Sequence, residues 1–402
     1  MRATLTLLAG GALAQALPLL LGPWLTRLYA PEQFGHYAFF AAVVANLAVL
    51  ACGRYDFALP LVRDEAEARD LMALCLRVLL AVTCGVAVLA CITIVAGAPL
   101  HWLWLPAAVA VAGALQWLTL WATRAERFTA LSLSRVTQYG GAAVAQVAGG
   151  LAQAGTPGLI AGPVLAGALA LTALRQPPPL GGWRGLWHVP RAAWSVPARQ
   201  HRDFPLLNTP HAFAGALQDT LAVALLVSLS GEAAAGFWGL ALRYLKAPAS
   251  LVGGAVSQAL YPRLAQATPA QAHAAVRQVM GTLALIALPL VLLLLLFGPD
   301  LFAAVFGERW REAGALSQAL APYIGLHFIA SPLAVVTLAW DAQAWALRLA
   351  LIGQTMFLAA LGIGLHLGGP VGGAWGVSAA MTLYFAWYFW SLATWKVEPD
   401  VV

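Results

Sequence analysis

Apolar runs long enough to cross a bilayer recur along almost the whole chain, each closed by a few polar or turn-forming residues. Read with a spanning-length window they number twelve, at residues 3–22, 37–60, 71–97, 101–123, 129–152, 157–175, 205–229, 234–260, 277–298, 314–339, 345–367 and 371–395. About 20 apolar residues in a helix cover about 30 Å of hydrocarbon. In lipid each backbone polar group has to be bonded within its own segment, so the runs are predicted as helices. The expected fold is an all-α polytopic membrane protein with about 12 transmembrane helices. The first run follows one arginine and has the outline of a signal peptide, but its length suits a retained first span.

The longest polar connection, residues 176–204, is rich in proline and interleaves Arg184, Arg191 and Arg199 with Trp183, Trp187 and Trp194. It divides the chain into two six-helix lobes, 1–175 and 205–402, and its composition suits a cytoplasmic linker on an anionic inner membrane surface. A faint repeat supports the division. "LTRLYAPEQFGHYAFFA" (25–41) and "LVSLSGEAAAGFWGLAL" (226–242) align so that Leu25 falls on Leu226, Gly35 on Gly236 and Tyr37 on Trp238. With six spans between them, the halves would enter the membrane in the same orientation, an arrangement that places substrate between the halves near the midplane.

Composition settles the solvent: 61% of residues are hydrophobic and 9% charged, against about 25% charged in a water-soluble domain. The basic residues then orient the map. With Met1 in the cytoplasm, fourteen of the 22 fall in inner segments, three (Arg27, Arg309, Arg311) in outer ones, and five (Arg54, Arg77, Arg135, Arg243, Lys246) within spans. This is the positive-inside distribution, with both termini cytoplasmic. The net charge of +6 is thereby assigned to orientation, and no nucleic-acid partner is called for. Cys52, Cys75, Cys84 and Cys91 lie in apolar stretches without metal-ligand spacing, so no metal is expected.

Charges inside spans cost about 2.5 to 3.5 kcal/mol each at a helix centre, so they face a cavity or a partner. The five cations stand against two anions, Asp56 and Asp219, an excess that suits an anionic cargo. Arg54 and Asp56, two apart, would point about 200° away from each other on a helix. One is therefore expected to face an inter-lobe cavity and the other a neighbouring span. Arg77 and Arg135 lie near the inner surface, within snorkelling reach of it. Arg243 and Lys246 lie deeper, roughly 18 to 23 Å from the turn at Gly231, and share one helix face. They are the candidate substrate-binding pair, with Arg54. Asn208, His211, Gly215 and Asp219 draw a polar stripe on the seventh span. Asp219 and Asp56 are candidates for charge pairing or for coupling to a proton or sodium ion. His327 and Gln354 read as polar contacts between helices.

Five stretches, "GGALAQALPLLLGPWLTRLYAPEQFG" (10–35), "GRYDFALPL" (53–61), "AVSQALYPRLAQ" (255–266), "FGERWREAG" (306–314) and "IASPLAVV" (329–336), occur at family-like spacing through nearly the whole chain. On these residues the chain resembles the polysaccharide transporter (Wzx-like) flippases of the multidrug/oligosaccharidyl-lipid/polysaccharide (MOP) superfamily. Asp56 departs from the pattern, which commonly has glutamate there. The resemblance implies a MOP/MATE-like fold in the bacterial inner membrane. It also implies alternating-access translocation of an undecaprenyl-pyrophosphate-linked oligosaccharide, an O-antigen, capsule or exopolysaccharide repeat unit. Glycan polymerase and chain-length machinery are the implied partners, beside membrane lipids. No cofactor is implied beyond a coupling ion. A MATE-like exporter of cationic drugs is the nearest alternative, and would favour buried carboxylates over arginines. A membrane glycan polymerase or glycosyltransferase would need catalytic residues on a substantial outer loop, where the sequence offers only residues 298–313 with Asp300, Glu308 and Glu312. A non-transporting lipid-binding scaffold is the third alternative.

Overall fold

The computed structural model describes residues 2–178, 180–340 and 342–395, and among these every regular element is helical. In chain order the helices are α1 (Arg2–Leu20), α2 (Gly22–Leu28), α3 (Pro31–Ala48), α4 (Glu65–Val95), α5 (Leu105–Arg124), α6 (Phe128–Arg135), α7 (Gly141–Leu151), α8 (Gly155–Ala173), α9 (Gly182–His188), α10 (Arg191–Gln200), α11 (Thr209–Ser230), α12 (Glu232–Ala265), α13 (Pro269–Phe306), α14 (Arg311–Ala339) and α15 (Gln343–Ala393). Local chemistry starts several of them. The Asp64 side chain accepts from the Glu67 N–H at 2.9 Å at the head of α4, and the Gln271 side chain accepts from the Thr268 N–H at 3.1 Å at the head of α13. Each bond satisfies a donor that a helix start would leave open.

Seven helices among the described residues are long and apolar enough to cross a membrane: α4, α5 with the turn before it, α8, α11 with the turn before it, α13, α14 and α15. The remaining predicted spans fall on α1, α3, α6 with α7, and α12. α15 carries two of the predicted spans in one run and is broken at Gly368 and Gly369, just before Pro370. Gly369 has φ 60°, which a side chain would resist. α6 and α7 are joined by one π-helical turn, Val136–Gly140.

Two expectations are corrected. The run 37–60 is not one helix: α3 spans Pro31–Ala48, and Gly53 (φ 56°) and Arg54 (φ 61°) turn the chain into a short 3-10 helix, Tyr55–Ala58. The connection 298–313, expected as an outer loop, is mostly helix as well. α13 runs on to Phe306 and α14 begins at Arg311, leaving a tight turn at Gly307 (φ 99°) and Glu308–Trp310.

The chain forms two compact units, Met1–Val223 and Ala224–Val402, meeting within α11. The core of the first gathers Leu71, Met72 and Cys75 of α4, Trp117 and Trp121 of α5, and Leu186 and Val189 of the connection after α8. That connection is folded: α9 and α10 both pack on α4. Trp194 covers Arg77 at 5.6 Å and His201 meets Glu67 at 3.1 Å, so α10 runs along α4 toward its N-terminal end. Asn46 of α3 donates to the Phe213 carbonyl of α11 at 3.2 Å, and Thr220 of α11 donates to the Ala42 carbonyl at 3.1 Å. The second unit is built on aromatic side chains of α12, α14 and α15, with Trp238 edge-on to Phe357, Tyr323 edge-on to Phe357 and Tyr323 stacked on Phe385.

Candidate functional site

The break after α3 creates the most unusual polar site of the first unit. With the chain out of helical geometry, Asp56 turns wholly into the protein, at 0% exposure. Its Oδ2 accepts from Gln116 Nε2 of α5 at 2.8 Å, while its Oδ1 meets no protein donor among the described residues. Arg54, two residues earlier, lays its guanidinium over the Phe57 ring at 4.5 Å, and its Nε is buried without a protein acceptor. A left-handed arginine costs roughly 1–2 kcal/mol of backbone strain. The return strand of this loop is fastened by Arg124 at the end of α5, which donates to the carbonyls of Val62 (3.0 Å) and Arg63 (3.1 Å) and to the Glu65 carboxylate (3.1 Å). A buried carboxylate with one hydrogen bond is expensive to keep ionised. Such a group suits binding a proton or a small cation.

In the second unit α12 continues without interruption from Glu232 past both predicted cations. At 1.5 Å per residue, Arg243 lies about 16 Å and Lys246 about 21 Å from the helix start. Ala234, Trp238, Ala241, Leu245 and Ala249 form one buried stripe of α12, and Ala235, Phe237 and Leu240 are buried beside it. Arg243 falls on the opposite face from that stripe at helical spacing, and both cations are half-buried. Pro248, two residues beyond Lys246, cannot donate to the carbonyl of Tyr244, which loosens the helix beside the pair. Asp219 belongs to the first unit and the two cations to the second.

The profile of a family described as "Polysaccharide biosynthesis protein" matches residues 24–315. The chain belongs to this family. No curated protein matches this polysaccharide biosynthesis protein, but solved structures match its fold over nearly its whole length. It is similar to an inward-facing MATE-family multidrug resistance transporter of the MOP superfamily, at 14% identity and TM-score 0.72, with 95% of this chain and 96% of that one covered. It is similar to the lipid II flippase MurJ in an inward closed conformation, at 10% identity and TM-score 0.68, with 96% and 87% covered. A MOP-superfamily transporter from Pyrococcus furiosus matches at 13% identity and TM-score 0.58, with 97% and 95% covered. At these identities the likeness establishes the fold: this family member is a multi-pass membrane protein of MOP architecture.

Several functional-looking contacts of this polysaccharide biosynthesis protein have partners that its sequence does not announce. Gln116 is the one amide in the apolar run of α5, and that isolation is the signal that could have singled it out. Gln146 is a second such case, its Nε2 donating to the Leu159 carbonyl at 2.9 Å while its own carbonyl receives the Tyr29 hydroxyl at 2.7 Å. Arg77, within snorkelling reach of the membrane surface by its sequence position, donates to the carbonyls of Leu186, Trp187 and Val189 at the end of α9.

Proposed function

We propose that this protein is a flippase that moves a polyprenyl-pyrophosphate-linked oligosaccharide from the inner to the outer leaflet of a bacterial inner membrane. Family membership ties the chain to polysaccharide biosynthesis, and its fold is similar to that of a multidrug resistance transporter of the MOP superfamily and of a lipid II flippase. The observation that carries the reading to the cargo is the Arg243–Lys246 pair. Two like charges three residues apart on a helix face repel. On one face of a long apolar helix the two are placed to receive the phosphates of an anionic cargo. In this reading the pair holds the pyrophosphate, the sugars travel in water and the prenyl tail remains in lipid, so neither half of the cargo crosses the wrong solvent. Asp56 and Asp219 are the carboxylates available for coupling to a proton or sodium gradient.

The test is leaflet-resolved labelling of lipid-linked sugar in cells carrying each variant at matched membrane levels. Arg243→Ala and Lys246→Ala are each expected to trap the lipid-linked oligosaccharide in the cytoplasmic leaflet and to abolish surface glycan without lowering the amount of protein. Lys246→Arg should retain part of the activity, since a diffuse phosphate site needs charge more than one fixed geometry. Unchanged flipping in the double alanine variant would remove the anionic-cargo argument. A cationic-drug exporter of the same fold would then be the better reading.

A further inference from the structure

The connection after α8 carries no part of the proposed transport chemistry, yet it is built with care. Between Glu126 and Asp203 the chain has no acidic residue, while Arg127, Arg135, Arg175, Arg184, Arg191, Arg199 and Arg202 fall in that stretch. α9 is two-faced at helical spacing. Trp183 and Leu186 turn inward, Trp183 edge-on to Trp117 at 6.2 Å and Leu186 fully buried. Arg184, Trp187 and His188 share the outer face, with Trp187 61% exposed.

Arg77 sets the level at which α9 sits. Its guanidinium donates to the Val189 carbonyl at 2.8 Å, the Leu186 carbonyl at 3.3 Å and the Trp187 carbonyl at 3.4 Å. It also holds its own Ala73 carbonyl at 2.9 Å. A cation at the C-terminal carbonyls of a helix satisfies acceptors that the helix cannot. On α4, Arg77 is the last charged residue, and the eighteen residues that follow, Val78–Val95, contain no charge. As helix these measure about 27 Å, close to the thickness of a hydrocarbon core. Arg77 therefore marks the edge of the apolar slab. α9, gripped by it, lies at the depth of the headgroups. Around it Arg175, Leu180, Arg184, Trp187 and Arg191 are all exposed. Exposed tryptophan among arginines at this depth is chemistry suited to anionic lipid. Beyond its first residue, Arg191, α10 does not share it, because it leaves along α4 toward Glu67.

We propose that α9 and its flanks form a dock for anionic phospholipid headgroups, with Arg175, Arg184 and Arg191 meeting phosphate, Trp187 seated in the interface, and Arg77 tying the dock to α4. This goes beyond the flippase reading and does not depend on the cargo. The test is amide hydrogen exchange on the full chain in nanodiscs of phosphatidylcholine with and without phosphatidylglycerol, which present the lipid on both leaflets. Phosphatidylglycerol is expected to slow exchange across α9 by on the order of tenfold. Arg184→Gln combined with Arg191→Gln should erase that difference, and Arg199→Gln combined with Arg202→Gln should keep it. Equal exchange in the two lipids, or a difference that survives the first pair of changes, would overturn the dock. Since no cargo is present, either outcome leaves the leaflet-labelling test of the flippase to stand on its own.

Discussion

Arg54 and Asp56 illustrate how much one backbone torsion decides. Were residues 49–60 helical, the two side chains would diverge by about 200°. The left-handed turn at Gly53 and Arg54 instead delivers the carboxylate to Gln116. Glycine adopts this geometry without the strain that arginine stores, so Arg54→Gly is expected to raise the apparent melting temperature in detergent, by the equivalent of up to about 1 kcal/mol. If the Arg54 side chain also serves transport, flipping falls as stability rises, and a lowered melting temperature would count against the strain account. Asp56→Asn keeps an acceptor for the Gln116 amide and removes the ionisable group. It should preserve stability while removing the dependence of flipping on the proton or sodium gradient. Asp56→Ala leaves the Gln116 amide without that acceptor, for a loss of about 1–3 kcal/mol by scanning fluorimetry.

At the scale of elements, α15 is the clearest case of helix pairing through small residues. Its two halves fold back at Gly368–Gly369, and a Cβ on Gly364 would come 2.4 Å from the Gly372 carbonyl oxygen, one on Gly376 2.7 Å from that of Ala360. Such close backbone approach is how helices associate in lipid, where apolar burial gives little drive. Gly364→Val and Gly376→Val are accordingly expected to lower the melting temperature and the amount of protein in the membrane. Gly362, on the same helix, has nothing within 4 Å of the position a Cβ would take. Gly362→Ala should therefore be neutral or stabilising by up to about 1 kcal/mol. Equal damage from Gly362→Ala and Gly364→Val would show that the close approach at Gly364 does not govern the hairpin.

At the scale of the whole molecule the arginine distribution sets the expected topology. A reporter active only outside the cytoplasm should be silent when fused near Trp194 and active near Ala98, and activity at Trp194 would reverse the orientation. Of the residues aligned in the internal repeat, Leu25 and Leu226, and Gly35 and Gly236, are buried in their respective units, while Trp238 is buried and Tyr37 half-buried. Much of the architecture was legible because the bilayer imposes it locally. The length of each apolar run, the break before Pro370 and the depth of Arg243 and Lys246 along α12 depend only on residues close together in the chain, and the sequence by itself determined them. What it did not determine is who meets whom. Asp56 and Gln116 are sixty residues apart, Arg77 and the carbonyls after α9 more than a hundred. The left-handed turn that aims Asp56 is adopted by an arginine, a residue with no preference for it. Those choices belong to tertiary structure, because a buried polar group takes whichever partner folding brings within hydrogen-bond reach, and sequence spacing carries no record of that distance.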